Sequence, residues 1–167
     1  LIILAFGANL PGPHGSPENN IQAALSLMPT IGVDVLGVSS IWITKPVPES
    51  DQPWYRNAVA LVSSDLAPYD LLCAVKKLEA DFGRIDSVRN APRVLDVDLI
   101  CYHDMVFEEV GLSLPHPRMH ERGFVLYPMR EVVPDSWRHP SSGATIHDLI
   151  EALPPSQKLT QPLQAAA

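Results

Sequence analysis

The chain opens on an unbroken apolar run, "LIILAFG" (1–7), which ends at a glycine and reads as a strand buried on both faces. A polar loop, "ANLPGPHGSPE", follows. Ser16 then Pro17 is a good helix start, an N-cap hydroxyl before a proline at the first helical position. Ile21, Ala24, Leu25 and Met28 recur at helical spacing, so residues 17–28 are expected to form an amphipathic helix that Pro29 helps to stop. "VDVLGVSSIWIT" (33–44) is rich in β-branched residues and reads as one strand, bent at Gly37. "KPVPESDQPW" (45–54) carries three prolines and little apolar content. It is a long loop, and long ordered loops often carry function. "YRNAVALVSS" (55–64) is a further strand. In "PYDLLCAVKKLEADFG" (68–83), Leu71, Val75, Leu78 and Phe82 form a helical stripe, and Gly83 stands where a helix-ending glycine belongs.

A polar, basic loop (84–92) leads to "RVLDVDLICY" (93–102), the next strand. Residues 103–122 are mixed and turn-rich. Short helices are expected within 123–134 and 142–154, and a loose tail over 156–167. The order strand, helix, strand, strand, helix, strand is the split β-α-β pattern of ferredoxin-like folds. The fold class is therefore α/β (α+β): a βαββαβ sandwich with an antiparallel sheet, extra elements at its C-terminal end, and one domain over 1–155.

Composition changes this picture little. Of 167 residues, 46% are hydrophobic and 19% charged, which excludes a disordered chain. The 17 prolines add turns. A net charge of −7 argues against nucleic acid as a partner. No run approaches the roughly 18 apolar residues of a membrane span, and "LIILAF" is too short for a signal peptide and lacks a basic flank. Cys73 and Cys101 both sit among apolar residues, as buried reduced thiols of a cytoplasmic protein would. Nothing in the pattern calls for an oligomer, so a monomer is expected.

Chemistry concentrates in "RVLDVDLI" (93–100). In a strand, Asp96 and Asp98 share one face while Leu95, Val97 and Leu99 take the other. Their Cβ atoms then lie roughly 6–7 Å apart. Two carboxylates so close call for a cation between them. Magnesium, which takes one or two carboxylates plus substrate phosphates, suits them, and a two-metal arrangement also fits. A bare D-x-D is more often just the wet face of a strand. Here every basic residue from 84 to 138 is an arginine, with Arg84, Arg89 and Arg93 close by. Metal plus arginine is how phosphoryl-transfer sites neutralise the transferred group. There is no GxxxxGK[ST] loop and no kinase signature.

"RNAPRVLDVDLI" (89–100) resembles the signature segment of the 6-hydroxymethyl-7,8-dihydropterin pyrophosphokinase family of folate biosynthesis. "AFGANL" (5–10) is similar to that family's G-x-N-L, "DQPWYRNAV" (51–59) to its D-Q-P-x-[YF]-x-N, and "LPHPRMHERGFVLYPMREVVP" (114–134) to its P-H…R-x-F-x-L-x-P stretch. The resemblance implies an enzyme that moves pyrophosphate from ATP to the hydroxymethyl oxygen of the dihydropterin and leaves AMP. It implies two magnesium ions on Asp96 and Asp98. It assigns Arg84, Arg93, His116 and Arg122 to the nucleotide and its phosphates, with both carboxylates and Arg84, Arg93 and Arg122 serving catalysis. It assigns Tyr55 and Phe124 as stacking faces for the pterin and Asn57 to its hydrogen-bonding edge. Thr44 and Val47 flank a loop whose backbone contacts the pterin in that family.

The chain departs from the family pattern in "RIDSVRNAP", which is one residue shorter and carries Asp86 and Asn90 where many members have arginine and tryptophan. Pro117 stands where many have tyrosine. Metal activation or Asp98 are the options for removing the hydroxyl proton. Two other classes stay open on residues alone: a non-catalytic ferredoxin-like ligand-binding module, and a different metal-dependent phosphoryl or nucleotidyl transferase.

Overall fold

The computed structural model describes residues 1–46, 48–83 and 91–158. Strand β1 (Ile2–Ala8) is the second strand from the outside of the sheet and is covered on both faces, which is why its sequence shows no alternation. Helix α1 (Pro17–Leu27) starts as its sequence requires: the Ser16 hydroxyl accepts the Asn19 N–H at 3.2 Å. A 3₁₀ turn over Met28–Ile31 ends it, closed by Gly32 at φ 81°, a left-handed conformation that glycine adopts at no steric cost.

The expected strand over 33–44 is two strands, β2 (Asp34–Val38) and β3 (Trp42–Thr44). Both pair antiparallel with β4 (Tyr55–Ser63). At the break, Ser39 donates its N–H to the Val59 carbonyl, and its hydroxyl accepts the Val59 N–H at 2.9 Å. A side chain thus replaces a ladder bond and lets β3 change direction. Helix α2 (Pro68–Asp81) buries Leu71, Val75, Leu78 and Phe82 as expected, with Gly83 at φ 89° just beyond it. Cys73 lies on the solvent side of that helix and is exposed, contrary to the expectation of burial; Cys101 is buried. Cys73 is two residues from both Leu71 and Val75, half a turn from the stripe they form.

Strand β5 (Asp96–Tyr102) begins three residues later than the apolar pattern suggests. The sheet order is β2-β4-β1-β5, every pairing antiparallel, with β3 beside β4. This is the ferredoxin-like arrangement. A hairpin of β6 (Phe107–Glu109) and β7 (Leu112–Leu114) follows, then α3 (Gly123–Arg130) and α4 (Ile146–Glu151). A reciprocal pair starts α4: Thr145 Oγ1 accepts from the Asp148 N–H and Asp148 Oδ2 accepts from the Thr145 N–H, both at 3.0 Å.

Two cores share the sheet. Ile2, Leu4, Phe6, Val97 and Leu99 pack under α1 and α2. Ile3, Val59, Ile100 and Trp42 pack under α3 and α4 with Leu126, Met129, Ile146 and Leu149. Each fully buried side chain of this size contributes roughly 1.5–3 kcal/mol. Order continues to a 3₁₀ turn over Pro155–Gln157, where the Gln157 side-chain oxygen accepts the Gly123 N–H at 3.1 Å. Only 159–167 of the expected tail lies outside the described residues. Among the described residues no helix is long and apolar enough to cross a membrane.

Candidate active site

The register of the sheet places the site. Gly7 of β1 lies between Asn57 of β4 and Asp96 of β5, and Ala5 lies beside Asp98. Leu95, Val97 and Leu99 are buried in the α1–α2 core, so the half-buried Asp96 and Asp98 rise together from the opposite face. That face is roofed by α3 and α4 over part of its area. Beside the start of α3 it opens into a cavity of about 910 Å³ lined by Thr44, Tyr55, Asn57, Arg93, Asp96, Asp98, Arg122 and Phe124.

On the β3–β4 side of β1, Asn57 is buried and its amide donates to Thr44 Oγ1 at 2.6 Å. That bond orients the amide, with Oδ1 lying over Gly7. A Cβ on Gly7 would meet Asn57 Oδ1 at 3.2 Å, so the glycine lets the amide settle against the floor. Tyr55 lines the cavity and its hydroxyl donates to the Ala91 carbonyl at 3.2 Å, tying β4 to the segment that enters β5. At the start of α3, the Arg122 guanidinium stands 5.5 Å from the centre of the Phe124 ring. A cation and an aromatic face are thereby offered to the same space.

Asn9 joins the two sides. Its Oδ1 accepts the Arg93 N–H at 2.8 Å, its Nδ2 donates to Gln52 Oε1 and to the Pro53 carbonyl, and its N–H donates to the Arg93 carbonyl. One buried amide therefore fixes the approach to β5 against the loop over 45–54. The signal for it in the sequence is the "GANL" segment, which was assigned no residue role. Arg118 and Glu121 also line the cavity and were not singled out.

The outer side of β5 carries a second cluster. The Lys76 ammonium donates to Glu79 Oε1 at 2.9 Å and stands 3.7 Å from Asp98 Oδ1. Burial pushes the Glu79 carboxyl above its ordinary range, against the downward pull of Lys76. An acid beside the apolar stripe of α2 is the sequence signal that could have found it.

His116 does not line the cavity. Its N–H donates to the Ile100 carbonyl at 2.8 Å and its Nδ1 accepts the Arg118 N–H at 3.2 Å. Burial first, then the Arg122 and Arg118 guanidiniums, hold its imidazole down to about 4. It is neutral at pH 7, with the proton on Nε2, and can donate to an anion without carrying charge. Two of the expected site residues, Val47 and Arg84, lie outside the described residues. The structure brings eight of the others into one cavity; His116 is not among its lining residues.

A family model described as 7,8-dihydro-6-hydroxymethylpterin-pyrophosphokinase matches residues 3–134. The 2-amino-4-hydroxy-6-hydroxymethyldihydropteridine pyrophosphokinase of Pseudomonas aeruginosa is 35% identical over 92% of this chain and 91% of its own length. The protein of the same name from Synechocystis is 37% identical over 89% of this chain and 74% of its own. The folic acid synthesis protein fol1 of Schizosaccharomyces pombe is 36% identical over 90% of this chain, but the chain spans only 20% of that relative.

Proposed function

Because the chain belongs to the 7,8-dihydro-6-hydroxymethylpterin-pyrophosphokinase family, we propose that it carries pyrophosphate from ATP to the hydroxymethyl oxygen of 6-hydroxymethyl-7,8-dihydropterin, releasing AMP. As a family member it is an enzyme, a diphosphotransferase of folate biosynthesis. The observation that carries the finer reading is a single cavity with two chemistries across one strand. Asp96, Asp98, Arg93 and Arg122 line it together with Thr44, Asn57, Tyr55 and Phe124.

A pterin is flat, aromatic and polar at its edge. Tyr55 and Phe124 offer faces for stacking, and the Asn57 amide offers a donor and an acceptor to the edge. The Thr44 hydroxyl keeps that amide from rotating. Bound there, the pterin directs its hydroxymethyl group toward β5. The hydroxyl oxygen bonds to the β-phosphorus of ATP as the bond from that phosphorus to the α,β-bridging oxygen breaks. The hydroxyl proton is released and AMP departs. The Arg93 and Arg122 guanidiniums hold the oxygens of the transferring group in their planar forks. By resemblance, His116 adds a neutral donor to the nucleotide phosphates. By resemblance, Arg84 serves as a further phosphate contact and Val47 as part of the pterin loop.

Among the described residues no group of three or more histidine, cysteine, aspartate or glutamate side chains is arranged to hold a metal ion. The donors we read as metal ligands are Asp96 and Asp98, two carboxylates on one face of β5. That fits magnesium, which keeps several waters and completes its shell with substrate phosphates. We read two ions on Asp96 and Asp98. Bound, they would supply positive charge to the polyphosphate and acidify a coordinated hydroxyl.

Product analysis tests the reading. With ATP, magnesium and 6-hydroxymethyl-7,8-dihydropterin together, AMP and the dihydropterin diphosphate are expected; omission of any one abolishes AMP. Release of ADP or of free pyrophosphate would mark a different transferase, and binding without turnover a ligand-binding module. Asp96→Ala and Asp98→Ala should each lose nearly all AMP formation while still binding dihydropterin.

A further inference from the structure

Among the described residues β5 is the outermost strand on its side of the sheet, and no further strand bonds its outer edge. At Val97, the residue between the two aspartates, α2 supplies the missing partners. Glu79 Oε1 accepts the Val97 N–H at 2.5 Å, and Lys76 Nζ donates to the Val97 carbonyl at 2.9 Å. The ammonium also bonds Glu79 and stands 3.7 Å from Asp98 Oδ1. Three residues on, the His116 N–H bonds the Ile100 carbonyl, close to the register shift in the β1–β5 pairing. Glu79 is 1% exposed, and an acid so deep in a helix–sheet contact is retained only if its bonds are good. Among the described residues it bonds the backbone of β5 and the Lys76 ammonium.

Glu79 and Val97 thus hold Lys76 at a set distance from a carboxylate. We propose that Lys76 is a tethered counter-cation of Asp98, held in place by Glu79, and that this pair sets the metal affinity of the site. A magnesium ion shares Asp98 with a positive charge already beside it. The hold on metal alone is weakened, and the ion is retained chiefly when phosphates arrive to complete its shell. This rests on reading Asp96 and Asp98 as metal carboxylates.

The test titrates magnesium chloride into nitrogen-15-labelled protein without nucleotide, following the amide resonances of Asp96, Val97 and Asp98. Lys76→Gln is expected to bind magnesium at least about fivefold more tightly than wild type. Glu79→Gln removes a negative charge and leaves the ammonium to Asp98, so it should bind about fivefold more weakly. A pair that merely braced the strand would weaken binding in both variants, so the opposite signs identify the electrostatic role. The Lys76 side chain is 39% exposed, and its substitution leaves the cores intact. Lys76→Met, which removes the charge without a polar replacement, should share the sign of Lys76→Gln. Unchanged or weaker binding in both Lys76 variants, with normal binding in wild type, overturns this inference alone. No magnesium-dependent shift in wild type or in either Lys76 variant overturns the metal reading of the aspartates and this inference with it.

Discussion

Glu131, just past the end of α3, holds the break between β2 and β3, and its loss should be felt at the pterin side of the cavity. Its Oε2 accepts the Ser40 N–H at 2.7 Å and the Ser40 hydroxyl at 2.8 Å; its Oε1 accepts the Trp42 indole N–H at 2.8 Å. The two bonds to Ser40 are exposed, so each contributes about 0.5–1 kcal/mol. Trp42 is 3% exposed, and stranding its indole N–H costs about 1–3 kcal/mol. Glu131→Ala should therefore destabilise the protein by roughly 2–5 kcal/mol. In a domain of this size each kcal/mol lowers Tm by roughly 2–4 °C. Glu131→Gln keeps an oxygen for Trp42 and gives up acceptance from Ser40, so about 1–2 kcal/mol should be lost. Urea melts at constant pH measure both. β3 carries Thr44, which orients Asn57. Calorimetry on Glu131→Ala, at a temperature where it remains folded, should then show dihydropterin binding weakened about fivefold or more, with ATP binding little changed. A loss below about 0.5 kcal/mol in Glu131→Ala, or equal losses in the alanine and glutamine variants, would refute the accounting.

Three further outcomes follow from the same geometry. Thr44→Val removes the acceptor that orients the Asn57 amide, and should raise KM for dihydropterin about tenfold with kcat changed far less; a change in kcat alone would contradict the positioning role. Phe124→Ala should weaken dihydropterin binding far more than ATP binding, and calorimetry showing equal losses would count against stacking. For His116, the unfolded imidazole takes its proton near 6.5 while the folded one waits until about 4. Above 6.5 neither form is charged. As pH falls from 6.5 to 4 the unfolded state gains the proton first and stability drops, by about 1–2 kcal/mol after allowing for the solvated part of the ring. His116→Gln should lose that much less stability over the same window in urea melts at a series of pH values; identical slopes would show that the ring is not desolvated.

Local pattern carried the fold a long way. The stripe Leu71, Val75, Leu78 and Phe82, the Ser16–Pro17 start of α1 and the facing of Asp96 and Asp98 against Leu95, Val97 and Leu99 all follow from spacing alone, and the structure keeps them. The element order was enough for the ferredoxin-like sandwich. What spacing could not show depends on partners far away in the chain. The break at 39–41 exists because Ser39 meets Val59 and because Glu131, ninety-one residues from Ser40, meets both Ser40 and Trp42. Cys73 has apolar neighbours in sequence but points away from them in the helix. In the site, resemblance supplied the candidate substrate contacts, and the structure gathers eight of them at one cavity. Asn9 acts on the approach to β5, and Lys76 and Glu79 on β5 itself, through the backbone, and a residue that works through another's peptide group leaves no signature in its own neighbourhood.

The hydrogen bond from Gly123 to Gln157 bears on where this protein can be cut. The family model ends at residue 134. A truncation there would strip Ile146, Leu149 and Leu153 from the second core and leave Ile3, Val59 and Ile100 facing water beneath α3 alone. It would also remove Pro154, Ser156 and Gln157 from the wall of the cavity, and with them the partner of the first amide of α3, the helix that carries Phe124. An expression fragment bounded by the recognisable motifs would therefore be sticky and poorly ordered at its substrate mouth, whereas one carried past Lys158 keeps both the roof and its latch.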